Sequence, residues 1–261
     1  MPVTARRAGR VREADVRQAG GEEIRGPIVV LTGAGISVDS GLPSFRGAGG
    51  LWEGWRLEEV ATPEAFARQL AVVQRFYDQR RRQLLAGAIE PNPAHRALAE
   101  LERRWPERVL VVTQNIDDLH ERAGTRNLIH MHGELLKARC RTCARVSDWR
   151  DDLGVDHRCP ACGGGNALRP HVVWFGELPL ELESISDALA GCALFVAIGT
   201  SGQVYPAAGF VETVRAGGRA HTVELNLEPS AFSSRFQEHR QGPAAELVPR
   251  FVAELLARAG R

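Results

Sequence analysis

The sequence predicts an α/β fold: a doubly wound parallel sheet interrupted by one small inserted domain. Three observations carry this expectation. Short apolar runs alternate with stretches of helical period, each apolar run ends in glycine or small polar residues, and one Arg-, Gly- and Asp-rich segment holding four of the five cysteines breaks the alternation.

Residues 1–25 mix Arg6, Arg7, Arg10, Arg12 and Arg17 with Glu13, Asp15, Glu22 and Glu23 and carry almost no large apolar side chains. Such a segment buries too little surface to fold and is expected as a flexible tail; its acidic residues argue against a transit peptide. Pro27 to Leu31, Arg108 to Thr113, Asn127 to Met131, Ala193 to Ile198 and Ala220 to Leu225 read as buried strands. They end in Thr32-Gly33-Ala34-Gly35, Gln114-Asn115, His132-Gly133, Gly199-Thr200-Ser201-Gly202 and Asn226, and a doubly wound sheet binds ligands at that carboxyl edge. Helices are expected over 63–86, 93–104 and 244–258, the last stopped by Gly260. The main domain therefore takes residues 26–133 and 171–261. Residues 134–170 form the insertion, joined by part of a helical segment within 46–90.

At 261 residues and 44% hydrophobic content the chain can bury about 70% of its unfolded surface. A net charge of +1 with dispersed basic residues marks neither a nucleic-acid nor a membrane surface, and apolar runs such as Ile28 to Leu31 fall far short of the ~18 residues of a membrane span. Five cysteines, no signal-peptide pattern and a Cys192 inside an apolar run fit a reducing compartment, so a cytoplasmic monomer is expected.

Cys140-x-x-Cys143 and Cys159-x-x-Cys162, with 15 residues between the pairs, have the spacing of a tetrahedral zinc site. Four thiolates leave no open coordination position, so this metal is expected to hold the fold and take no part in chemistry. Two disulfides are the alternative.

Gly33-Ala34-Gly35-Ile36-Ser37 follows a strand, where a glycine turn lets backbone N–H groups approach a pyrophosphate. A hydride-transferring Rossmann enzyme wants a third glycine where Val38 stands, which counts against an oxidoreductase. The bland alternative is a tight strand-to-helix turn. Gly199-Thr200-Ser201 offers a second cradle, and two at one edge suit a dinucleotide. In Gln114-Asn115-Ile116-Asp117, Asn115 can hydrogen-bond a carboxamide in both directions and Asp117 can accept from its nitrogen; an Asx turn capping a helix from about Asp118 is equally compatible. His132, at a strand end beside Gly133, suits a general base, and His130 on the same strand face is its rival.

Taken together, Gly33 to Ser37, Gly41-Leu42-Pro43-Ser44-Phe45-Arg46, Thr113 to Asp117, His132-Gly133, the four cysteines, Gly199-Thr200-Ser201 and Asn226 resemble the sirtuin family of NAD-dependent protein deacylases. The resemblance runs from about residue 26 to 258. Ser44, where many members carry Asp, and Asp118, where Gly or Asn is usual, depart from the pattern. It implies a Rossmann-like NAD domain with a small zinc domain, acyl-lysine protein substrates in the cleft between them, and release of nicotinamide and O-acyl-ADP-ribose. His132 then becomes the base that activates a ribose hydroxyl, with Asn115 and Asp117 orienting nicotinamide. Gly33, Ala34, Gly35, Ser37, Phe45, Arg46, Gln114, Ile116, Gly199, Thr200, Ser201, Asn226, Leu227, Glu228 and Ala244 would line the cofactor. Val172 to Glu177, including Val173, Trp174, Phe175 and Gly176, resembles the strand that pairs with substrate backbone. Mono-ADP-ribosyl transfer, and a non-catalytic NAD and zinc module, are the alternatives.

The acyl group can be argued from spacing. In the 63–86 helix, Val73, Phe76, Tyr77, Arg80 and Leu84 share one stripe, so Arg80 interrupts an apolar face and needs an anion. Tyr77, three residues earlier, can converge with it on one carboxylate. The Tyr-x-x-Arg pair also resembles the desuccinylase and demalonylase branch. The competing expectation pairs Arg80 with Glu64 or Glu90.

Overall fold

A computed structural model describes residues 24–43, 51–52 and 54–259. In chain order its elements are β1 (Ile28–Thr32), β2 (Leu51–Trp52), β3 (Trp55–Arg56), α1 (Leu57–Val60), α2 (Pro63–Arg68), α3 (Leu70–Leu85), α4 (Pro93–Arg104), β4 (Val109–Thr113), α5 (Leu119–Ala123), β5 (Leu128–His130) and β6 (Gly133–Cys140). There follow β7 (Val146–Asp148), β8 (Leu168–Val172), α6 (Leu182–Gly191), β9 (Leu194–Ile198), α7 (Phe210–Gly217), β10 (His221–Asn226), β11 (Glu238–Gln241) and α8 (Ala244–Ala259). Most of the expected tail, residues 1–23, lies outside the described residues, as do Ser44, Phe45 and Arg46.

The main sheet is parallel throughout, in the order β11-β10-β9-β1-β4-β5. Successive residues of a strand face opposite sides. Ile28, Val30, Val109, Val111 and Val196 pack under α4 and α8, whereas Val29, Leu31, Leu110, Val112 and Phe195 pack under α6 and α7. Both faces are covered, which is why these strands read as unbroken apolar runs. The order reverses between β1 and β9, and the crevice at such a switch point is where a doubly wound sheet holds its ligand.

The cysteine segment folds as a second, antiparallel sheet in the order β7-β6-β8. Helix α3 is bound to it by polar groups. Asp78 accepts the N–H groups of Leu153 and Gly154 at 2.7 and 3.1 Å, Gln74 donates to the Leu168 carbonyl at 2.9 Å, and Arg81 donates to Asp78 and to the Leu135 carbonyl. These bonds fix where the Tyr77 face of α3 points.

Three expectations are corrected. The 63–86 helix is two helices, broken at Gln69, whose backbone (φ −142°, ψ 53°) leaves the helical region while its side chain donates to the Glu59 carbonyl. With neither Pro nor Gly at the break, nothing local announces it. The strand expected to pair with substrate ends at Val172, and 173–177 is a loop. Its N–H groups bond within the protein, Val173 to the His132 carbonyl, Phe175 to the Ala61 carbonyl and Trp174 to the Glu177 carboxylate, and Gly176 turns at φ +90°. The sheet also has an edge strand, β11, whose polar Glu238-His239-Arg240-Gln241 gave no apolar signal. Among the described residues no helix is long and apolar enough to cross a membrane.

Candidate functional site

At the switch point the glycine loops after β1 and β9 are hydrogen-bonded to each other. Gly33 N–H donates to the Ile198 carbonyl at 3.0 Å and Gly35 N–H to the Gly199 carbonyl at 2.9 Å. A Cβ on Gly35 would lie 2.6 Å from Gly199 Cα, and one on Gly199, already at φ +63°, 2.4 Å from the Ile36 nitrogen. The glycines therefore serve loop-on-loop packing as well as open backbone, and Ala34–Ser40 runs on as a 3-10 helix. Because the obstructing atoms are backbone, Gly35→Ala is expected to destabilise the fold by about 1–3 kcal/mol. Thermal unfolding should show a Tm lower by roughly 2–12 °C; an unchanged Tm would mean that the loops separate freely.

Asn115 and Asp117 sit beyond β4, facing these loops. Asn115 Nδ2 donates to the Gly33 carbonyl at 3.2 Å and to Ser37 Oγ at 3.1 Å, while Ser37 donates to Asp117 Oδ2 at 3.1 Å. With both amide hydrogens committed, the bidirectional contact expected of Asn115 is reduced to its Oδ1, which can accept from a ligand. Asp117 Oδ1 accepts from Leu119 N–H at 3.2 Å, so the expected Asx turn exists. Burial raises the Asp117 pKa to about 6, against the lowering from Leu119 N–H and Ser37.

The two histidines are distinguished by their partners. His130 Nδ1 meets the Asn115 carbonyl at 3.1 Å and its Nε2 meets Glu121 Oε1 at 2.8 Å. Both partners are acceptors, so the ring is held as imidazolium; burial opposes this, but the Glu121 bond and charge prevail and the pKa is raised. His132 Nδ1 donates to the Gln114 carbonyl at 3.1 Å, and burial lowers its pKa. A neutral ring with Nδ1 protonated presents a lone pair on Nε2.

At the end of β10, Asn226 donates to the Thr200 carbonyl at 2.9 Å and to Glu224 at 3.3 Å. It lines a cleft of about 250 Å³ with Glu224, Glu228, Ser233 and His239. Leu227 is exposed, and Ala244 is buried at the start of α8. Glu224, absent from the expected set, also accepts from Ser233; its apolar neighbours in β10 hid it.

On α3, Tyr77 and Arg80 are 2% and 7% exposed, as the stripe required. The Tyr77 oxygen accepts from Trp174 Nε1 at 2.9 Å, and burial holds its pKa well above the ordinary phenol value, so the hydroxyl stays a neutral donor. Arg80 donates to the Phe76 carbonyl at 3.0 Å with its guanidinium carbon 3.3 Å over the Phe76 ring. Glu90, one expected partner, is taken by Arg122 at 2.7 Å. Trp174 is fixed by Arg169, which stacks on it at 3.5 Å and makes a two-point pair with Glu177 at 2.6 and 2.9 Å. Val173 is half-buried, and Phe175 and Gly176 are exposed beside it.

The sulfurs of Cys140 and Cys162 are 3.7 Å apart, and those of Cys143 and Cys159 3.8 Å. All four fall within 4.8 Å of one another. A tetrahedron with zinc–sulfur bonds of about 2.3 Å has edges of about 3.8 Å, whereas a disulfide needs about 2.05 Å. The donor set fits zinc, and all five cysteines are unbridged.

Fold and site together define a dinucleotide-using enzyme with a structural zinc module. The Sir2 family model matches residues 33–206. An NAD-dependent protein deacylase from Pasteurella multocida (strain Pm70) is 58% identical over 229 residues, covering 88% of this chain and 97% of its own. A Sir2 homolog–NAD complex superposes with a TM-score of 0.81 at 36% identity, covering 89% of this chain and 90% of that one. A triple-mutant Sir2 homologue with 2′-O-acetyl ADP-ribose gives 0.81 at 35%, covering 90% and 94%. The chain belongs to the Sir2 family. It is an NAD-dependent protein deacylase of bacterial sirtuin type that uses NAD and zinc. Deacylation, and not ADP-ribosyl transfer, is the activity these relatives carry.

Proposed function

We propose that this deacylase removes succinyl and malonyl groups, as well as acetyl, from protein lysines, releasing nicotinamide and O-acyl-ADP-ribose. The observation that carries the acidic preference is the burial of Tyr77 and Arg80 on one face of α3. There the Tyr77 oxygen accepts from Trp174 Nε1, and burial keeps the hydroxyl protonated. A carboxylate reaching this wall meets a guanidinium and a hydroxyl with little competing water.

The remaining roles are those that the family resemblance implies. NAD, when bound, supplies the ribose carbon that receives the acyl oxygen and the nicotinamide that leaves. Gly33, Ala34, Gly35, Ser37, Gln114, Ile116, Gly199, Thr200, Ser201, Asn226, Leu227, Glu228 and Ala244 would hold it, joined by Phe45 and Arg46. Asn115 Oδ1 and Asp117 would orient the carboxamide, and His132 Nε2 would take a ribose hydroxyl proton. Val173, Trp174, Phe175 and Gly176 would flank the acyl-lysine. The division into a main domain (26–133 and 171–261) and a zinc domain (134–170), and a cytoplasmic monomer, complete the reading.

Mass spectrometry of acetyl-, succinyl- and malonyl-lysine peptides incubated with enzyme and NAD tests it. Arg80→Met keeps the apolar volume but removes a charge-assisted bond of about 1.5–3 kcal/mol, so kcat/KM for succinyl-lysine should fall about ten- to a hundredfold while deacetylation changes little. Tyr77→Phe should cost less, about 0.5–1.5 kcal/mol for a neutral bond. Equal loss on both substrates with a lower Tm would make Arg80 structural and the acidic reading wrong.

A further inference from the structure

Asn115 is held at its main-chain N–H and at its carbonyl as well as by its side chain, and both main-chain holds lead back to the short helix that follows it. Its N–H donates to Thr113 Oγ1 at 3.0 Å. Thr113 in turn accepts from the Thr32 hydroxyl at 2.9 Å, pairing the last residues of β4 and β1, and Thr32 Oγ1 meets His120 Nε2 at 3.0 Å. With the Thr32 proton given to Thr113, the hydrogen between Thr32 and His120 sits on Nε2. Thr32, Thr113 and His120 are all 0% exposed, so no water competes along this path. His95, packed edge-on at 4.9 Å and held neutral by burial, puts no charge beside it. On the other side, the Asn115 carbonyl accepts from His130 Nδ1, whose Nε2 is anchored by Glu121. His120 and Glu121 are consecutive residues of α5.

We propose that the His120-Glu121 pair is a two-armed positioning device for Asn115, one arm reaching its N–H through Thr32 and Thr113 and the other its carbonyl through His130. The proposal rests on the reading that Asn115 orients nicotinamide. A device of this kind sets where Asn115 Oδ1 points without touching the ligand, so its loss should weaken contacts to nicotinamide and spare those to the ADP-ribose portion.

The full-length zinc-loaded protein is compared as wild type and as His120→Phe, His120→Gln, Glu121→Ala, Glu121→Gln and Asn115→Ala. Measured are KM for NAD, inhibition by nicotinamide, ADP-ribose affinity by calorimetry, and Tm. His120→Phe and Glu121→Ala should each raise KM for NAD and weaken nicotinamide inhibition about three- to tenfold, the worth of a neutral hydrogen bond. ADP-ribose affinity should hold. Glutamine places a donor at the reach of His Nε2 and an acceptor in place of the carboxylate, so both glutamine variants should recover most of the loss. Adding His120→Phe to Thr113→Val should cost little more than Thr113→Val alone, because His120 reaches the Asn115 N–H only through Thr113. Parallel loss of nicotinamide and ADP-ribose affinity, or no loss of either, overturns the proposal. An Asn115→Ala variant with unchanged nicotinamide inhibition overturns instead the reading beneath it.

Discussion

His132→Ala is expected to lower the rate of acyl release by roughly 10²- to 10⁴-fold, the usual worth of a general base, while NAD binding stays close to wild type. The expectation follows from two partners. His132 Nδ1 is pinned on the Gln114 carbonyl, so the neutral ring has one lone pair to offer, on Nε2. Burial holds its pKa below the ordinary value, so the base is ready at neutral pH. The sign of the pH dependence is fixed by this. Activity that needs neutral His132 is present above its pKa and lost as pH falls through it, placing the acid limb of kcat/KM below about pH 6.5. His130→Ala should hurt less, because a ring bonded to a carbonyl and a carboxylate is an imidazolium and takes no proton. A dead His130 variant beside an active His132 variant would reverse the assignment.

Cys143→Ala is expected to unfold the small domain and abolish activity with it. Structural zinc contributes roughly 10–16 kcal/mol of apparent binding in small modules. The apolar cluster under this sheet is Ala138, Cys140, Leu153, Cys159, Ala167 and Leu168 with Trp149 against it, and two of its members are themselves thiolate ligands. Without the metal too little remains to hold the segment. The loss reaches the Tyr77 and Arg80 face of α3 because Leu153, Gly154 and Leu168 are groups to which α3 is bonded. The main sheet keeps its own two cores, so limited proteolysis should cut first within 141–165. Metal analysis should find about one zinc per wild-type chain. A Cys143→Ala protein that keeps its zinc and its activity would refute this account.

Much of the fold was legible because parallel strands covered on both faces must be continuously apolar. Ile28 to Leu31 and Val109 to Val112 can be placed from that alone. β11 was not, since its polar residues are held by backbone pairing to β10 and by side-chain pairs such as Glu238 with His221 and Arg240. The break at Gln69 was equally invisible, because the bond that accompanies it is to Glu59, in a different helix.

The candidate site divides the same way. Residue type and spacing alone determined that four thiolates can close around zinc, that glycines crowd two strand ends, and that Tyr77 and Arg80 share one face of α3. These are properties of short segments, governed by ligand chemistry and helical period. Only the tertiary structure decided that His132 presents a lone pair while His130 holds a proton, that Asn115 commits its amide nitrogen to Gly33 and Ser37 and leaves its oxygen open, and that residues 173–177 spend four of their N–H groups inside the protein. Each of those outcomes depends on which donor or acceptor a distant segment brings within about 3 Å, and a hydrogen bond's direction is settled by both partners.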